Sequence, residues 1–191
     1  MEYNLLLILV ILILSAFQSI FGIGLLALGT PLLLLLNYSF EDVLLILLPC
    51  SICVSILTLF LINIKNKKIF NKQIFENFIF FSIPGIILGL TLIFFNEINV
   101  NFKVLIGSMI LLSIFLKRKI KQIHLNNKFR KKLTNFIIGF IHGISNMGGS
   151  FLSIYLITFY NDKKIIRYHI TLAYIFFAFT QLLFLFLINE K

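Results

Sequence analysis

The sequence predicts an all-α polytopic membrane protein, and three observations support this fold class. About 60% of the 191 residues are hydrophobic, only 13% are charged, and the mean hydropathy is +1.04. The apolar residues form long runs, and the basic residues are concentrated between those runs. A soluble domain of this length cannot bury so much apolar surface, and this hydrophobicity also excludes a disordered chain.

The first apolar run, residues 5–36, contains no charged residue. As a single helix it would be about 48 Å long, whereas the hydrocarbon core of a bilayer is about 30 Å thick. We therefore expect it to break at the segments 22–24 and 29–31, which contain glycine and proline. Five further spans give six in total, and the fifth is interrupted at 145–150. These spans cover residues 43–62, 75–95, 102–116, 133–160 and 165–188.

The basic residues predict the orientation. With six crossings, thirteen of the 17 Lys and Arg residues fall on one side, in the segments 63–74 and 117–132 and at Lys191. The positive-inside rule then predicts that both termini are cytoplasmic in a bacterial inner membrane. We expect the lipid bilayer, not nucleic acid, to be the partner of this positive charge. The four other basic residues are Lys103, Lys163, Lys164 and Arg167.

The two interrupted spans resemble each other at an offset of 119 residues. Gly24 then matches Gly143, and Gly29 matches Gly148. Each motif is followed by a short apolar stretch, a polar corner and another long span. Because four spans would separate the two motifs, both interrupted spans are predicted to cross in the same direction, which makes the repeat parallel. The same offset pairs Thr30 with Gly149 and Pro31 with Ser150.

This repeat predicts one transmembrane domain over residues 1–191. Its first repeat covers 5–116, and a partial second repeat covers 133–188, so two spans of the second repeat are missing. The incomplete repeat would leave a helix face exposed that normally packs. We therefore expect a homodimer or pairing with another membrane chain, since small and polar residues favour helix association.

The segments 17–24 and 29–33 resemble the opening motif of the TauE/SafE sulfite exporter family. The segments 143–150 and 154–156 resemble its second motif, with Ser150 at a position where that family usually has proline. The resemblance implies a bacterial transporter of about eight spans for sulfite, sulfonate or related organosulfur anions. This chain is then a member shortened at its carboxyl terminus.

The interrupted spans also predict an anion site. Thr30 is a suitable N-cap and Pro31 a suitable first residue of a new half-helix, and Ser150 or Asn146 is suited to cap a second one. Two helix amino termini facing one cavity would bind a small anion through backbone N–H groups. The alternative is that the small residues only allow close helix packing. The expected binding residues are Gly22, Gly24, Gly29, Thr30, Pro31, His142, Gly143, Ser145, Asn146, Gly148, Gly149 and Ser150.

Among ionisable side chains, His142 is the one inside a span beside a motif, where it either pairs with the anion, carries a proton or simply packs. His124 and His169 are expected to be solvated. Gln18 and Gln181 are expected to hydrogen-bond between helices. All seven acidic residues lie at span ends or in loops, so we expect no transport coupled through a buried carboxylate.

Two alternatives to anion transport stay open. Cys50 and Cys53 form a C-x-x-C motif in the second span, which allows a transmembrane thiol–disulfide conductor. The other alternative is an interaction protein that has lost its transport pathway. No metal-ligand cluster, phosphate-binding loop or pair of carboxylates occurs in the sequence, so we expect no enzyme activity, no metal and no cofactor.

Overall fold

The structure is a computed structural model that describes residues 2–62, 72–95, 101–119 and 128–189. These residues form eight α-helices and no strand, which confirms the predicted all-α class. Of the features named above, His124, Lys191 and most of the basic residues of the segment 63–74 lie outside this part, as does Lys121 of the segment 117–132. The helices are α1 (Glu2–Phe21), α2 (Leu25–Leu35), α3 (Phe40–Leu61), α4 (Lys72–Phe95), α5 (Phe102–Lys119), α6 (Lys128–Ser145), α7 (Gly148–Ile157) and α8 (Lys163–Asn189).

Six of these helices are long and correspond to the six predicted spans, whereas α2 and α7 have only 11 and 10 residues. Three helical segments of the described chain are long and apolar enough to cross a membrane on their own: Phe40–Leu61, Phe78–Phe95 and Lys163–Ile188. The chain is therefore a polytopic helical membrane protein. Its first complete span, α3, begins where the Ser39 side chain accepts a hydrogen bond from the Asp42 backbone N–H.

The break in the first apolar run is a reversal of the chain rather than a kink. Gly22 has φ +77°, a conformation that favours glycine, and α2 begins at Leu25. A Cβ atom on Gly24 would lie 2.8 Å from the backbone nitrogen of Gln18, and one on Gly29 would lie 3.2 Å from the Leu14 side chain. Since later residues of α2 meet earlier residues of α1, α2 runs back along α1.

The predicted start of a half-helix at Pro31 is therefore wrong. Pro31 lies inside α2, and Gly24 occupies the N-cap position instead of Thr30. The chain reverses at Gly22 because the positive φ there redirects the backbone, whereas Pro31 removes only one hydrogen-bond donor from a helix that has already started.

The fifth apolar run is also reversed. Asn146 has φ +59°, α6 ends at Ser145, and α7 begins at Gly148. A Cβ atom on Gly148 would lie 2.9 Å from the carbonyl oxygen of Ile138, one helical turn before His142. Ser150, predicted as a cap, is instead the third residue of α7, and the N-cap position is occupied by Met147 without a side-chain hydrogen bond.

These two hairpins are oriented in opposite directions, which corrects the predicted parallel repeat. Gly22, at the end of α1, contacts Arg167, at the start of α8. Helix α7 is antiparallel to α6, because Gly148 at its start lies against the end of α6. It is also antiparallel to α8, because Gly149 at its start contacts Tyr174, whereas Tyr160 after its end stacks on the earlier residue His169. Thus α8 and α6 are parallel, and both are antiparallel to α1. The two hairpins are therefore inverted relative to each other.

The equivalent residues of the hairpins also differ from those predicted. The Gly22 N–H donates to the carbonyl oxygen of Gln18 over 2.8 Å, and the Asn146 N–H donates to that of His142 over 2.7 Å. Each acceptor lies four residues before a residue of positive φ, Gly22 in the first hairpin and Asn146 in the second. Equivalent residues of the two hairpins are therefore 124 positions apart. The predicted offset of 119 residues paired glycines that have different structural roles.

A glycine-lined contact joins α4 and α6. A Cβ atom on Gly85, Gly139 or Gly143 would overlap a backbone carbonyl oxygen of the facing helix, and one on Gly89 would lie 2.6 Å from the Phe140 carbonyl oxygen. Each helix thus presents two glycines four residues apart, a spacing that lets membrane helices approach closely. Gly143, which was predicted to bind substrate, contributes to this helix contact.

The two ends of the bundle differ in charge. One end contains the α1–α2 turn and the starts of α4, α6 and α8; we call it the basic face. At the opposite face, the Lys103 ammonium donates to the Asn37 side-chain oxygen over 2.9 Å, and Phe102 stacks on Phe40. These contacts show at which end of the bundle several described basic residues lie. Eight of them lie at the basic face, and Lys103 lies at the opposite face. The eight are Lys72, Lys128, Arg130, Lys131, Lys132, Lys163, Lys164 and Arg167.

Candidate functional site

The predicted binding residues do not form a single site. Gly22 and Gly24 belong to the α1–α2 turn, beside Arg167 near the start of α8, whereas residues 142–150 form the α6–α7 turn, beside Tyr174 further along α8. Thr30 joins the second group, because the Asn146 side-chain amide donates to its hydroxyl oxygen over 2.9 Å. Gly29 packs against the side chains of α1 and α3 instead. The structure thus reduces the candidate site to the α6–α7 turn and its neighbours.

The α1–α2 turn is closed by protein groups. The Gln18 side chain is 1% exposed, and its amide nitrogen lies within hydrogen-bonding distance of both Ser51 and Ser55. Its side-chain oxygen accepts from the Leu25 N–H, the first of α2, over 3.3 Å. This arrangement confirms the interhelical role predicted for Gln18. It also provides one of the donors at the start of α2 with a protein acceptor.

The α6–α7 turn contains several buried polar atoms that lack a partner in the described residues. His142, Asn146, Tyr174 and Gln181 are all fully buried. Both ring nitrogens of His142, the side-chain oxygens of Asn146 and Gln181, and the hydroxyl of Tyr174 make no hydrogen bond. Buried polar groups are almost always paired in native structures, so such a cluster indicates a site for a ligand or for water.

Two glycines bring these side chains to the start of α7. A Cβ atom on Gly148 would overlap the His142 side chain, and one on Gly149 would overlap the Tyr174 hydroxyl. The imidazole ring of His142 lies 4.6 Å from the Phe177 ring and 6.3 Å from the Tyr174 ring, measured between centroids. The first turn of α7 is therefore surrounded by an imidazole, a phenol and two carboxamides.

The Ser145 hydroxyl has hydrogen-bond partners within the turn, unlike the polar atoms of its neighbours. Its hydroxyl donates to the Ile141 carbonyl oxygen over 2.6 Å and accepts from the Met147 N–H at 3.4 Å. The Gln181 amide nitrogen lies 3.4 Å from the carbonyl oxygen of His142, which links α8 to the end of α6 as predicted for Gln181. These bonds hold the turn in place and leave the other polar atoms available.

No carboxylate, lysine or arginine is among the buried polar side chains of the described residues. A helix amino terminus carries partial positive charge and exposed N–H donors, which favours an anion. Together with a tyrosine hydroxyl and the Asn146 amide, α7 provides donors for a small anion without a fixed positive charge. Backbone donors of this kind at membrane depth are tolerated where they line a protein-enclosed site.

Sequence reasoning missed Tyr174 as a site residue. Tyr174 and Gln181 are seven residues apart, so they share one face of α8 with Phe177 between them. Two polar side chains at this spacing inside an apolar span are the signal that was available. Tyr174 was overlooked because its connection to the glycine motif arises only when α8 packs against α7.

The remaining candidates have different surroundings. His169, predicted to be solvated, is 3% exposed and stacks on Tyr160, because α8 turns it inward. Cys50 and Cys53 are both free thiols, and Cys53 is exposed on the outside of the bundle. Within the described part of the chain, no group of His, Cys, Asp and Glu is arranged to hold a metal ion.

A bundle of membrane helices with conspicuous polar side chains buried at its centre is typical of membrane transport proteins. The family described as sulfite exporter TauE/SafE matches residues 7–190. The chain therefore belongs to the TauE/SafE family of membrane transporters. No curated protein and no solved structure matches the chain.

Proposed function

We propose that this protein transports a small sulfur-containing anion, such as sulfite or an organic sulfonate, through the site at the α6–α7 turn. The observation that supports this function best is the cluster of unpartnered buried atoms on His142, Asn146, Tyr174 and Gln181 beside the start of α7. The membership of an exporter family agrees with an anion as the substrate. The direction of transport follows from the gradients available and not from these contacts.

The chemistry of the site favours an oxyanion. A sulfite or sulfonate group presents three oxygens, which suit the several N–H and O–H donors at the start of α7. The aromatic side chains of Tyr174 and Phe177 provide apolar walls beside these donors, as is typical of small-molecule sites. A cation would find fewer suitable ligands here, because the described buried side chains include no carboxylate.

Transport can be tested with purified protein in lipid vesicles. We expect flux of labelled sulfite and of short alkyl sulfonates, and no flux of choline or of glucose. The variant Gly148→Leu should insert normally and lose this flux, because its side chain would occupy the space of His142. Gly107→Leu is the matched control, since nothing lies within 4 Å of a Cβ at that position. Absence of flux in the unaltered protein would instead favour a non-transporting interaction protein.

We further propose that the basic face is cytoplasmic and that both termini lie outside the cytoplasm. Eight described basic residues lie at this face against Lys103 at the opposite one, so the positive-inside rule favours this orientation. Six simple crossings predicted a different arrangement, with both termini on the cytoplasmic side and Lys163, Lys164 and Arg167 outside, whereas Lys128–Lys132 and Lys103 keep their predicted sides. The arrangement changes because α2 and α7 reverse the chain and bring Lys163, Lys164 and Arg167 to the same face as Lys128–Lys132.

Single cysteines test this orientation. In a background with Cys50→Ser and Cys53→Ser, we compare Asn101→Cys with Asn161→Cys, both at exposed positions. A membrane-impermeant maleimide added to intact cells should label Asn101→Cys and not Asn161→Cys, and both should react after permeabilisation. Labelling of both variants in intact cells would support six simple crossings and contradict the inverted hairpins.

A further inference from the structure

We propose that His142 carries one proton with each anion, so that the protein is a proton–anion symporter; this inference rests on the function proposed above. The described buried side chains include no other group at the α6–α7 turn that can become positively charged. An anion entering this turn would otherwise bring an uncompensated charge into a low-dielectric interior, which is strongly unfavourable.

The geometry around His142 suits a ring that gains and loses a proton. Both ring nitrogens lack a partner, so neither is committed to a structural hydrogen bond. The unpartnered side-chain oxygens of Asn146 and Gln181 belong to the same buried cluster and are acceptors suited to an imidazolium N–H. One ring N–H can then donate to a carboxamide oxygen while the other faces the anion.

The charged groups around His142 are few. The titratable group of α8 that lies beside the His142 ring is the phenol of Tyr174. The part of α4 that packs beside this end of α6 is the apolar stretch around Ile86 and Gly89, which contains no titratable side chain. Helices α2 and α7 contribute no acidic or basic side chain, and those of α5 lie in its first and last turns. Hence a charge on His142 depends mainly on whether an anion is present.

Anion binding and protonation therefore stabilise each other. Without the anion the buried ring is neutral, because an unpaired charge there is costly. With the anion, the imidazolium and the anion form a pair of zero net charge when the anion is monovalent. The proton adds to a ring nitrogen on one side of the membrane and leaves that nitrogen on the other side, together with the anion. By linkage, a proton gradient then drives the anion, and an anion gradient drives protons.

The other hairpin shows that a histidine is not needed to build such a turn. Gln18 occupies the equivalent position, and its side-chain atoms are all engaged in hydrogen bonds to Ser51, Ser55 and Leu25. A neutral carboxamide thus suits the backbone geometry of the reversal. This makes His142→Gln a suitable test variant, since it keeps a polar side chain of similar size and removes the titrating group.

The experiment uses purified protein in vesicles that contain a pH-sensitive dye, with labelled ethanesulfonate as the probe. Ethanesulfonate is the anion of a strong acid, so any proton that accompanies it must be carried by the protein. We expect uptake to acidify the vesicle interior with about one proton per anion. A pH difference of about one unit should sustain about a tenfold anion gradient. A membrane potential imposed with potassium and valinomycin should have little effect.

His142→Gln should lose the acidification and the tenfold accumulation, and any remaining flux should follow the membrane potential. His169→Gln is the matched control, because His169 is also buried in the bundle but lies near the basic face, and it should stay coupled. Ethanesulfonate flux without acidification in the unaltered protein would overturn the proposal and leave anion transport intact. Acidification that persists in His142→Gln would also overturn it. Absence of any sulfite or sulfonate flux in the unaltered protein would overturn both proposals.

Discussion

Replacing Asn146 by aspartate is expected to abolish anion transport while the protein still folds. Asn146 has φ +59°, which aspartate tolerates better than most residues, and a carboxylate can accept a hydrogen bond from the Thr30 hydroxyl. The fold is therefore kept. A negative charge about 4 Å from the anion costs about 4 kcal/mol at an effective dielectric constant of about 20, which corresponds to about a thousandfold weaker binding.

The measurement is the initial rate of sulfite or sulfonate uptake into vesicles containing equal amounts of each variant. Asn161→Asp is the matched control, since it makes the same chemical change at an exposed position and should transport normally. Equal rates for Asn146→Asp and Asn161→Asp would show that the anion does not pass the α6–α7 turn.

Gly139→Ala should strongly destabilise the bundle, although it adds only one methyl group. The added Cβ would overlap the carbonyl oxygen of Ser82 in α4, so the two helix backbones must move apart. Overpacking of this kind costs about 1–3 kcal/mol or more. The change would also break the close approach that Gly85, Gly89 and Gly143 provide along the same contact. Thermal unfolding in detergent should show a clear decrease in the midpoint temperature.

Gly107→Ala makes the same change in α5, where nothing lies within 4 Å of the added Cβ. Alanine is the better helix former by about 1 kcal/mol, so this control should unfold at the same temperature as the unaltered protein or a higher one. A midpoint for Gly139→Ala that matches that of Gly107→Ala would mean that α4 and α6 are not in backbone contact.

The local features of this fold were predictable from the sequence. Long apolar runs identified the six long helices, because a helix is the structure that satisfies all backbone hydrogen bonds within one segment in lipid. The segments 22–24 and 145–150 were recognised as breaks, and each contains a residue of positive φ, whereas the break also predicted at 29–31 lies inside α2. The polar residues His142 and Asn146 were likewise predicted as site residues, and the structure places both at the α6–α7 turn.

The directions of the short helices were not predictable in the same way. A break with positive φ permits either a bend or a full reversal, and composition does not distinguish them. The choice depends on contacts between distant residues, such as Gly29 with Leu47 and Gly149 with Tyr174. The missed reversal in α2 changes the predicted side of the amino terminus, and the missed reversal in α7 changes that of Lys163, Lys164, Arg167 and the carboxyl terminus. Glycine matching at an offset of 119 failed because it paired Gly24, at the start of α2, with Gly143, which serves the contact between α6 and α4.

The shortness of α2 and α7 has a consequence for how the chain enters the membrane during synthesis. With 11 and 10 residues, they extend over about 16 and 15 Å, roughly half of a hydrocarbon core of about 30 Å. Neither can leave the translocon alone, because its ends would expose unpaired backbone groups to lipid. Helix α2 must therefore wait for α3, and α7 for α8, so that each hairpin and its following helix are released into the bilayer as a single unit of biogenesis.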